Sequence, residues 1–232
     1  MTISRDLPKL INFYTSPIGK KIITGITGLG LSLFVLVHMT GNLVLFTSTS
    51  AYNQLAHFID SLGILLYLFE FILLGLVVFH VTIAISIKLN ARQARPVGYQ
   101  QLTSKGKPSK QSLSSRTMIV TGSVLFIFLV LHLLTLKFGV YYSTAINGVK
   151  MRDLARLVIE QFQNPLYTFG YVAVMLLLGL HLRHGIWSGL QSLGAMNANL
   201  SPIIYTIALI LALLIATGFL ILPLAIYFGF VS

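Results

Sequence analysis

The sequence predicts an all-α integral membrane protein, in which residues 1–232 form one domain with a bundle of five transmembrane helices. Hydrophobic residues make up 56% of the chain and charged residues only 9%, and the mean hydropathy is +0.86. Such a chain is too apolar and too rarely interrupted by charge to be an ordinary soluble domain. Its apolar stretches also reach the roughly 20 residues that are needed to cross a hydrocarbon core. These stretches are about 18–46, 62–87, 117–136, 166–190 and 203–230.

The first segment begins at a favourable helix start, because Ser16 precedes Pro17 and the missing N–H of proline costs nothing in the first turn. Gly25, Gly28 and Gly30 follow at a spacing that permits close approach of a neighbouring helix or of a flat cofactor. Packing against a helix is the more frequent use of such glycines. Both uses remain open for each of them.

The second and third segments are joined by a long polar connection, which we predict to be a cytoplasmic loop over about 88–116. Its core, 90–115, is rich in proline, glycine, serine and basic residues, which end one helix and delay the next. This loop would either dock a soluble protein or be solvated without a partner.

The third connection contains apolar residues at helical spacing. Leu154, Leu157, Val158 and Phe162 recur between charged residues. This pattern predicts a helix over 149–163 that lies along the outer interface. The first connection is expected to be short, and no tandem repeat is expected in the chain.

The net charge of the chain is +11, and the placement of this charge predicts the topology. Lysine and arginine occur before the first segment and throughout the second connection, whereas the first connection and the C-terminal tail carry none. In the third connection they are partly offset by Asp153 and Glu160. By the positive-inside rule, the N-terminus and the second connection lie in the cytoplasm and the C-terminus outside. The charge therefore serves topology and binding to lipid or a soluble partner, and no nucleic acid is expected.

The chain contains no cysteine. It therefore cannot itself ligate an iron–sulfur cluster of the usual kind or attach a c-type heme. The first apolar segment is too long for a signal-peptide core and is not followed by a small-residue cleavage motif, so we expect it to be retained.

His38, His80, His132 and His181 each lie in a different apolar segment. Ligating residues at membrane depth are costly and mark functional sites. By the helical rise, His38 and His132 lie about 9 to 12 Å from the outer ends of their segments. His80 and His181 lie about 12 to 18 Å from the inner ends of theirs. Because a bis-histidine heme needs two imidazoles at one depth, these depths predict an outer and an inner heme layer, with hydrogen bonding between helices as the alternative use.

Further polar residues near these layers have alternatives that the sequence leaves open. His184 follows His181 by three residues on the same helix face, so either could ligate. Arg183 would either reach the cytoplasmic surface or bond a heme propionate. Glu70, well inside the second segment, would be neutral, paired or part of a proton path. His57, in the first connection, would be solvated or would serve a quinone or a proton.

Aromatic residues of the second and fourth segments are expected at lipid contacts and interfacial belts rather than against a cofactor. Their rings favour the boundary between the apolar core and water. They are Tyr67, Phe69, Phe71, Phe79, Tyr167, Phe169 and Tyr171.

The runs around these histidines resemble a known family, the cytochrome b membrane-anchor subunit of succinate:quinone oxidoreductases and fumarate reductases, in its single-chain, five-helix, two-heme form. The similarity covers nearly the whole chain. It rests on TGLGLSLFVLVHMTGNL around His38, FEFILLGLVVFHVTIAI followed by NARQARPVGY around His80, SSRTMIVTG with LVLHLL around His132, and GLHLRHGIWSGLQSLG around His181 and His184.

The resemblance implies two hemes b, the outer iron held by His38 and His132 and the inner iron by His80 and His181. His181 is preferred to His184 because a glycine, an aliphatic and an aromatic residue follow it four, five and six positions later, as in the family. Some members that run as fumarate reductases have a glutamate two residues before this ligand, which serves proton transfer. Gly179 occupies that position here, so the resemblance leaves the direction of the reaction open.

The resemblance also implies partners and a location. An iron–sulfur subunit would bind the cytoplasmic face of a prokaryotic cytoplasmic membrane and carry a flavoprotein subunit, in which succinate is oxidised. Electrons would pass to a quinone, typically menaquinone. Candidate quinone contacts are Ser16 and Lys20 near the inner surface, and Glu70 or His57 near the outer one.

Two other functions remain as alternatives. One is the heme b anchor of another respiratory oxidoreductase, such as a nitrate reductase or a hydrogenase. The other is a proton-coupled transporter in which the same histidines relay protons. The sequence lacks paired, proline-interrupted half-helices in two related halves, which weighs against a carrier built from inverted repeats.

Overall fold

The computed structural model describes residues 12–94 and 113–231, and this part of the chain is an all-α membrane bundle with one small two-stranded sheet. Five of its helices are long and apolar enough to cross a membrane, as the sequence predicted. With their terminal turns they are Pro17–Phe46, Ile64–Ala94, Leu113–Lys137, Pro165–Ser192 and Leu200–Tyr227. The chain is therefore a multi-pass membrane protein.

The described helices and strands follow in this order along the chain. The first half contains α1 (Pro17–Leu43), which a 3₁₀ turn extends over Val44–Phe46, then α2 (Thr49–Ser61) and α3 (Ile64–Ala94). The second half contains α4 (Leu113–His132), which a π-helical turn extends over Leu133–Lys137, the strands β1 (Ser143–Ile146) and β2 (Val149–Arg152), and the helices α5 (Leu154–Phe162), α6 (Pro165–Ser192) and α7 (Leu200–Tyr227).

Helices α1 and α6 begin in the same way. The Ser16 hydroxyl accepts a hydrogen bond from the N–H of Gly19 at 2.9 Å, and Pro17 follows it in the first turn. The Asn164 side chain accepts from the N–H of Leu166 at 2.9 Å, and proline again follows. Each cap satisfies a backbone donor that the first helical turn leaves free.

The predicted loop over 88–116 is too long, because α3 continues to Ala94 and α4 already begins at Leu113. Lysine, arginine and glutamine are good helix formers, so polarity alone does not end a helix where the apolar stretch ends. Arg92 lies in the last turn of α3, where a cation is favoured by the helix dipole. The remainder of the predicted loop, 95–112, lies outside the described residues.

The prediction of a helix over 149–163 is wrong in its first part. Residues Val149–Arg152 form a strand that pairs antiparallel with Ser143–Ile146, and the helix is confined to Leu154–Phe162. The reason is the turn at Asn147 and Gly148, which have φ values of 51° and 79°. Asn-Gly is the dipeptide that two-residue hairpin turns with positive φ favour most, and it closes the hairpin here.

Helices α2 and α5 and the hairpin cover one end of the bundle, which we call the capped end. The first connection, expected to be short, contains the whole of α2. Asn53 on α2 donates to the carboxylate of Asp153 at 2.8 Å and accepts from the N–H of Ala155 at 2.9 Å, so one side chain ties α2 to the start of α5. An apolar core joins these helices to the bundle and contains Leu45, Tyr52, Ala155, Val158, Phe162, Leu222 and Ile226.

Four helices surround the interior of the bundle. Helix α1 packs along α3 and α6, and α4 packs along α6, whereas α3 and α4 meet at few positions. Helices α1 and α4 therefore face each other across one diagonal and α3 and α6 across the other. Helix α7 lies outside this group, against α6 and α1. We call the end of the bundle opposite the capped end, where the chain leaves α3 and enters α4, the linker end.

Two glycines permit the close approach of helices. A Cβ at Gly25 on α1 would lie 3.1 Å from the carbonyl oxygen of Gly189 on α6. A Cβ at Gly179 on α6 would lie 3.0 Å from the Cβ of Ala216 on α7. Small residues at such positions are typical of helix interfaces in membranes. Gly179 therefore has a packing role, and a larger side chain at this position would have to displace α7.

Candidate functional site

The four histidines predicted to form layers meet in two pairs across the diagonals of the bundle. His38 on α1 faces His132 on α4, with ring centroids 5.8 Å apart and ring planes at 84°. His80 on α3 faces His181 on α6, with centroids 6.4 Å apart and planes at 69°. We call the first the capped-end pair and the second the linker-end pair. The two histidines of each pair are the ones that the sequence predicted to lie at one depth.

The two pairs lie at different depths. His80 contacts Thr27 on α1, and His38 of the other pair follows Thr27 by eleven residues on the same helix. On α4, Thr121 contacts His181, and His132 again follows by eleven residues. Eleven residues of helix rise by about 16 Å. The bundle therefore holds two separate imidazole pairs, one above the other.

Hydroxyl groups fix the rings of the linker-end pair. The buried Thr27 hydroxyl donates to the carbonyl oxygen of Ile23 at 2.8 Å and lies 3.2 Å from Nδ1 of His80. When the hydroxyl proton stays directed at this carbonyl oxygen, the hydroxyl accepts from the Nδ1–H of the imidazole. The other ring nitrogen, Nε2, then carries a free lone pair, which is the form that binds a metal.

The second ring of the linker-end pair has the same arrangement. The buried Thr121 hydroxyl donates to the carbonyl oxygen of Thr117 at 3.1 Å and lies 3.0 Å from Nδ1 of His181. With the hydroxyl proton directed at that carbonyl oxygen, His181 likewise carries its own proton on Nδ1 and a lone pair on Nε2. Neither threonine was recognised from the sequence. The signal that could have revealed them is a Thr-Gly dipeptide eleven residues before a histidine, which occurs in both segments.

The glycines that follow these threonines lie against the same rings. A Cβ at Gly28 would be 3.0 Å from Cε1 of His80, and a Cβ at Gly122 would be 3.2 Å from Cε1 of His181. The edge of each imidazole ring therefore lies against the backbone of a glycine, which has no Cβ. Of the glycines noted in the first segment, Gly28 contacts a candidate ligand, whereas Gly25 serves helix packing and Gly30 lies against Leu76.

Aromatic rings surround the capped-end pair. The ring of Phe34 stacks on His38 with centroids 5.4 Å apart, and the ring of Phe128 lies 5.6 Å from that of His132. The Tyr171 hydroxyl is hydrogen-bonded to Nδ1 of His132 at 3.0 Å. The expectation that Tyr171 is a lipid or belt residue is therefore wrong. Tyr171 contacts a candidate ligand because it lies on the face of α6 that packs against α4.

His181 and His184 have different surroundings in the structure. The ring of His184 packs edge-on against Trp187, with centroids 4.8 Å apart, and its Nδ1 is buried without a hydrogen-bond partner. The imidazole that faces His80 is that of His181. Arg183 lies exposed on α6, and both of its predicted uses stay predictions.

The candidate quinone contacts near the linker end are already hydrogen-bonded within the chain. The Ser16 hydroxyl caps α1 and donates to the carbonyl oxygen of Phe13 at 2.8 Å. The Lys20 amino group donates to the Ser86 hydroxyl on α3 at 2.7 Å. Both side chains lie near the start of α1, one helical turn apart, and so share a face.

The candidates nearer the capped end differ from each other. Glu70 on α3 forms an ion pair with Lys137, the last residue of the π-helical turn after α4. Of its three predicted states, the paired one is observed. His57 lies half-buried in the middle of α2. The ion pair links α3 to α4 along the side of the bundle where these helices meet at few positions.

Charged and phenolic groups of the cap have shifted pKa values. Burial raises the pKa of Tyr52 to about 12, although nearby Arg152 acts in the opposite direction. The hydrogen bond from Arg156 to Glu160, 2.8 Å long, lowers the pKa of that carboxyl group, and a second one from Tyr142 adds to this effect. Glu160 therefore stays ionised at neutral pH.

The ring separations fit one metal ion between each pair. Metal-to-imidazole bonds are about 2 Å long, so two rings that share one ion have centroids roughly 6 Å apart. The observed 5.8 and 6.4 Å lie on either side of this value. Within 12–94 and 113–231, no three His, Cys, Asp or Glu side chains group as ligands of a bare metal ion. Two imidazoles suit an ion that brings its other ligands with it, as the iron of a porphyrin does.

Comparison with protein-family models, with curated proteins and with solved structures finds no match for this chain. The family resemblance therefore rests on the quoted sequence runs alone.

Proposed function

We propose that this chain is a diheme cytochrome b that anchors a succinate:quinone oxidoreductase complex in the membrane and transfers electrons between an iron–sulfur subunit and quinone. The observation that supports this most directly is the presence of two facing histidine pairs at two depths. As the membrane subunit of a succinate dehydrogenase or fumarate reductase, the chain would itself perform no succinate chemistry.

His38 and His132 would hold one heme b, and His80 and His181 the other. Each bound heme would supply one-electron redox chemistry at its iron. The residues of the chain do the remaining work, which is to orient the ligands and to exclude water. Thr27 on α1 and its counterpart on α4 would accept from Nδ1–H and so leave a lone pair on each linker-end Nε2, and the apolar faces of the helices would exclude water.

The distribution of basic residues supports the orientation of the complex. The N-terminus of α1 and the connection between α3 and α4 would face the cytoplasm, and the capped end would lie outside. Lys88 and Arg92 are exposed at the end of α3, and Arg116 is exposed at the start of α4. They would lie beside an iron–sulfur subunit, which in turn carries the flavoprotein, or beside anionic lipid.

The ion pair of Glu70 and Lys137 is the best-supported quinone contact near the capped end. Charged groups in membrane helices are costly and are usually functional. A quinone, in our proposal menaquinone, needs a hydrogen-bond donor at its carbonyl oxygen and a route for protons. The Lys137 ammonium would supply the donor, and the Glu70 carboxylate would accept a proton on that route. Ser16 and Lys20 would serve a second quinone position at the linker end, and His57 stays a weaker candidate.

A reduced-minus-oxidised spectrum of the purified chain, combined with a pyridine hemochrome assay, tests the heme part of the proposal. We expect about two hemes b per chain, as two imidazole pairs require. Co-purification of the intact complex and an assay of succinate-to-quinone activity test the rest. Two hemes with other subunits and no succinate activity would favour another respiratory oxidoreductase. No heme at all would contradict the proposal and favour a histidine-based transporter.

A further inference from the structure

Residues 27–38 of α1 and 121–132 of α4 share one pattern, although no repeat was expected from the sequence. In both, threonine and glycine are followed by leucine, phenylalanine and histidine at identical spacing. These residues are Thr27, Gly28, Leu31, Phe34 and His38 in α1, and Thr121, Gly122, Leu125, Phe128 and His132 in α4. Eleven residues are three helical turns plus about 20°. The threonine and the histidine of each pattern therefore lie on one face of their helix.

Each copy of this pattern serves both histidine pairs. Its threonine bonds a linker-end histidine from the neighbouring helix, at 3.2 Å in α1 and 3.0 Å in α4. Its histidine belongs to the capped-end pair. Its phenylalanine packs against that same histidine. The pattern thus sets the distance between the two pairs and the orientation of the linker-end rings at once.

The threonine contacts are directional. Each hydroxyl donates its proton to a main-chain carbonyl oxygen of its own helix, at 2.8 Å for Thr27 and 3.1 Å for Thr121. In this arrangement the hydroxyl is an acceptor toward the imidazole, as a ring that binds a metal through Nε2 requires. Valine has nearly the same shape but no acceptor, whereas serine keeps the acceptor and loses a methyl group. These two substitutions separate the hydrogen bond from packing.

We propose that Thr27 and Thr121 are positioning residues for the linker-end pair, each of which fixes the tautomer and rotation of one imidazole so that the Nε2 atoms face each other. This inference rests on the proposed function, because bound heme reports the orientation of the rings. A hydrogen-bond acceptor behind a ligating histidine raises the basicity of that ligand, and its loss typically costs about 10- to 100-fold in metal affinity. A more basic ligand pair favours the oxidised metal.

Thr27→Val and Thr121→Val test the proposal in the purified full-length chain. Potentiometric titration followed by electron paramagnetic resonance separates the two hemes. We expect each valine variant to raise the potential of the linker-end heme through an about tenfold loss in ferric over ferrous binding, which is about 59 mV for one electron. The low-spin ferric signal of that heme should change as the rings rotate, and the capped-end signal should stay as in wild type.

Thr27→Ser and Thr121→Ser should keep the wild-type potential and signal. Thr206→Val is a matched control, because this exposed hydroxyl bonds the carbonyl oxygen of Pro202 in its own helix. Loss of the linker-end heme alone in a valine variant, with retention in the serine variant, would also support the proposal. Wild-type potentials and signals in both valine variants, or equal changes in the valine and serine variants, would overturn it. A wild-type chain without heme would instead overturn the proposed function and this inference together.

Discussion

The two histidine pairs are built from the same residue type but are oriented by different means. At the linker end, each ring bonds a threonine whose proton is donated to the main chain. At the capped end, Phe34 stacks on His38, and the Tyr171 hydroxyl bonds His132. One pair is oriented by hydrogen bonds of fixed direction, and the other by aromatic packing and a phenol.

The two ends differ in where the hydroxyl group that contacts each ring can donate its own proton. The Tyr171 hydroxyl also lies 2.8 Å from that of Tyr167, so the chain from Tyr167 to His132 has two possible directions. Each threonine hydroxyl instead lies within hydrogen-bond distance of two carbonyl oxygens of its own helix, which can only accept its proton. The main chain therefore favours the Nδ1–H tautomer of both linker-end rings, whereas the two phenols at the capped end favour neither tautomer of His132.

Removal of one histidine ligand should have the largest effect, because it should abolish one heme site and leave the other. In His80→Ala we expect the chain to lose about one of its two hemes, because a bis-histidine site needs both imidazoles at one depth. The heme that remains should have the spectrum of the capped-end site. His38→Ala should show the reverse, and His184→Ala should keep both hemes because its ring packs on Trp187.

Hemochrome counts and spectra at low temperature measure these outcomes. Equal loss of both hemes in His80→Ala would mean that the pairs are not independent. Loss of the linker-end heme in His184→Ala would assign that ligand role to His184 rather than to His181.

Helix α6 carries one histidine of the linker-end pair and the tyrosine that bonds the capped-end pair. A displacement of α6 should therefore affect both pairs. A Cβ at Gly179 would lie 3.0 Å from that of Ala216, and overpacking of this kind costs about 1 to 3 kcal/mol. We expect Gly179→Ala to lower the unfolding temperature of the detergent-solubilised chain. Because Gly75 has nothing near its Cβ position, Gly75→Ala is the matched control and should not destabilise.

The double variant Gly179→Ala with Ala216→Gly tests whether the contact with Ala216 causes the loss of stability. It restores the space between α6 and α7 and should recover much of the lost stability. A Gly179→Ala chain as stable as wild type would mean that α6 has room at this position, and the packing explanation for glycine would be wrong.

The sequence predicted the spans well, because they depend on the thickness of the membrane and the rise of a helix, and it grouped the histidines that face each other. It did not predict the contacts of Thr27 or Tyr171, because helix rotation decides which side chain reaches a ring. The hairpin was missed although Asn147 and Gly148 signal one, since helical spacing in the following residues was extended too far back. Helix α2 was missed because its composition is mixed and no long apolar stretch marks it.

Substitution at the capped end should have a smaller effect that is confined to one site. Tyr171→Phe keeps the ring but removes the hydroxyl from Nδ1 of His132. We expect a change of about tenfold or less in the relative binding of the two iron states at the capped-end heme, with the linker-end heme unaffected. Potentiometric titration measures both. Tyr205→Phe, on α7, is a matched control, and a shift at the linker end in Tyr171→Phe would show that the two sites are coupled.

The smallest expected effect is on the stability of the cap, which covers only the capped-end pair. The Tyr52 hydroxyl donates to the side-chain oxygen of Asn42 at 3.0 Å, and burial raises its pKa to about 12 from the ordinary 10.0. Between these values the unfolded chain loses the phenolic proton while the folded chain keeps it. The stabilisation is therefore complete below pH 10 and is lost as the pH rises toward 12, by on the order of 1 kcal/mol at pH 11. Thermal unfolding of wild type and Tyr52→Phe from pH 8 to 12 measures this contribution, since the stability difference between them should shrink across that range. A constant difference would mean that Tyr52 is not buried in the cap and that the capped-end pair is less well covered than the structure indicates.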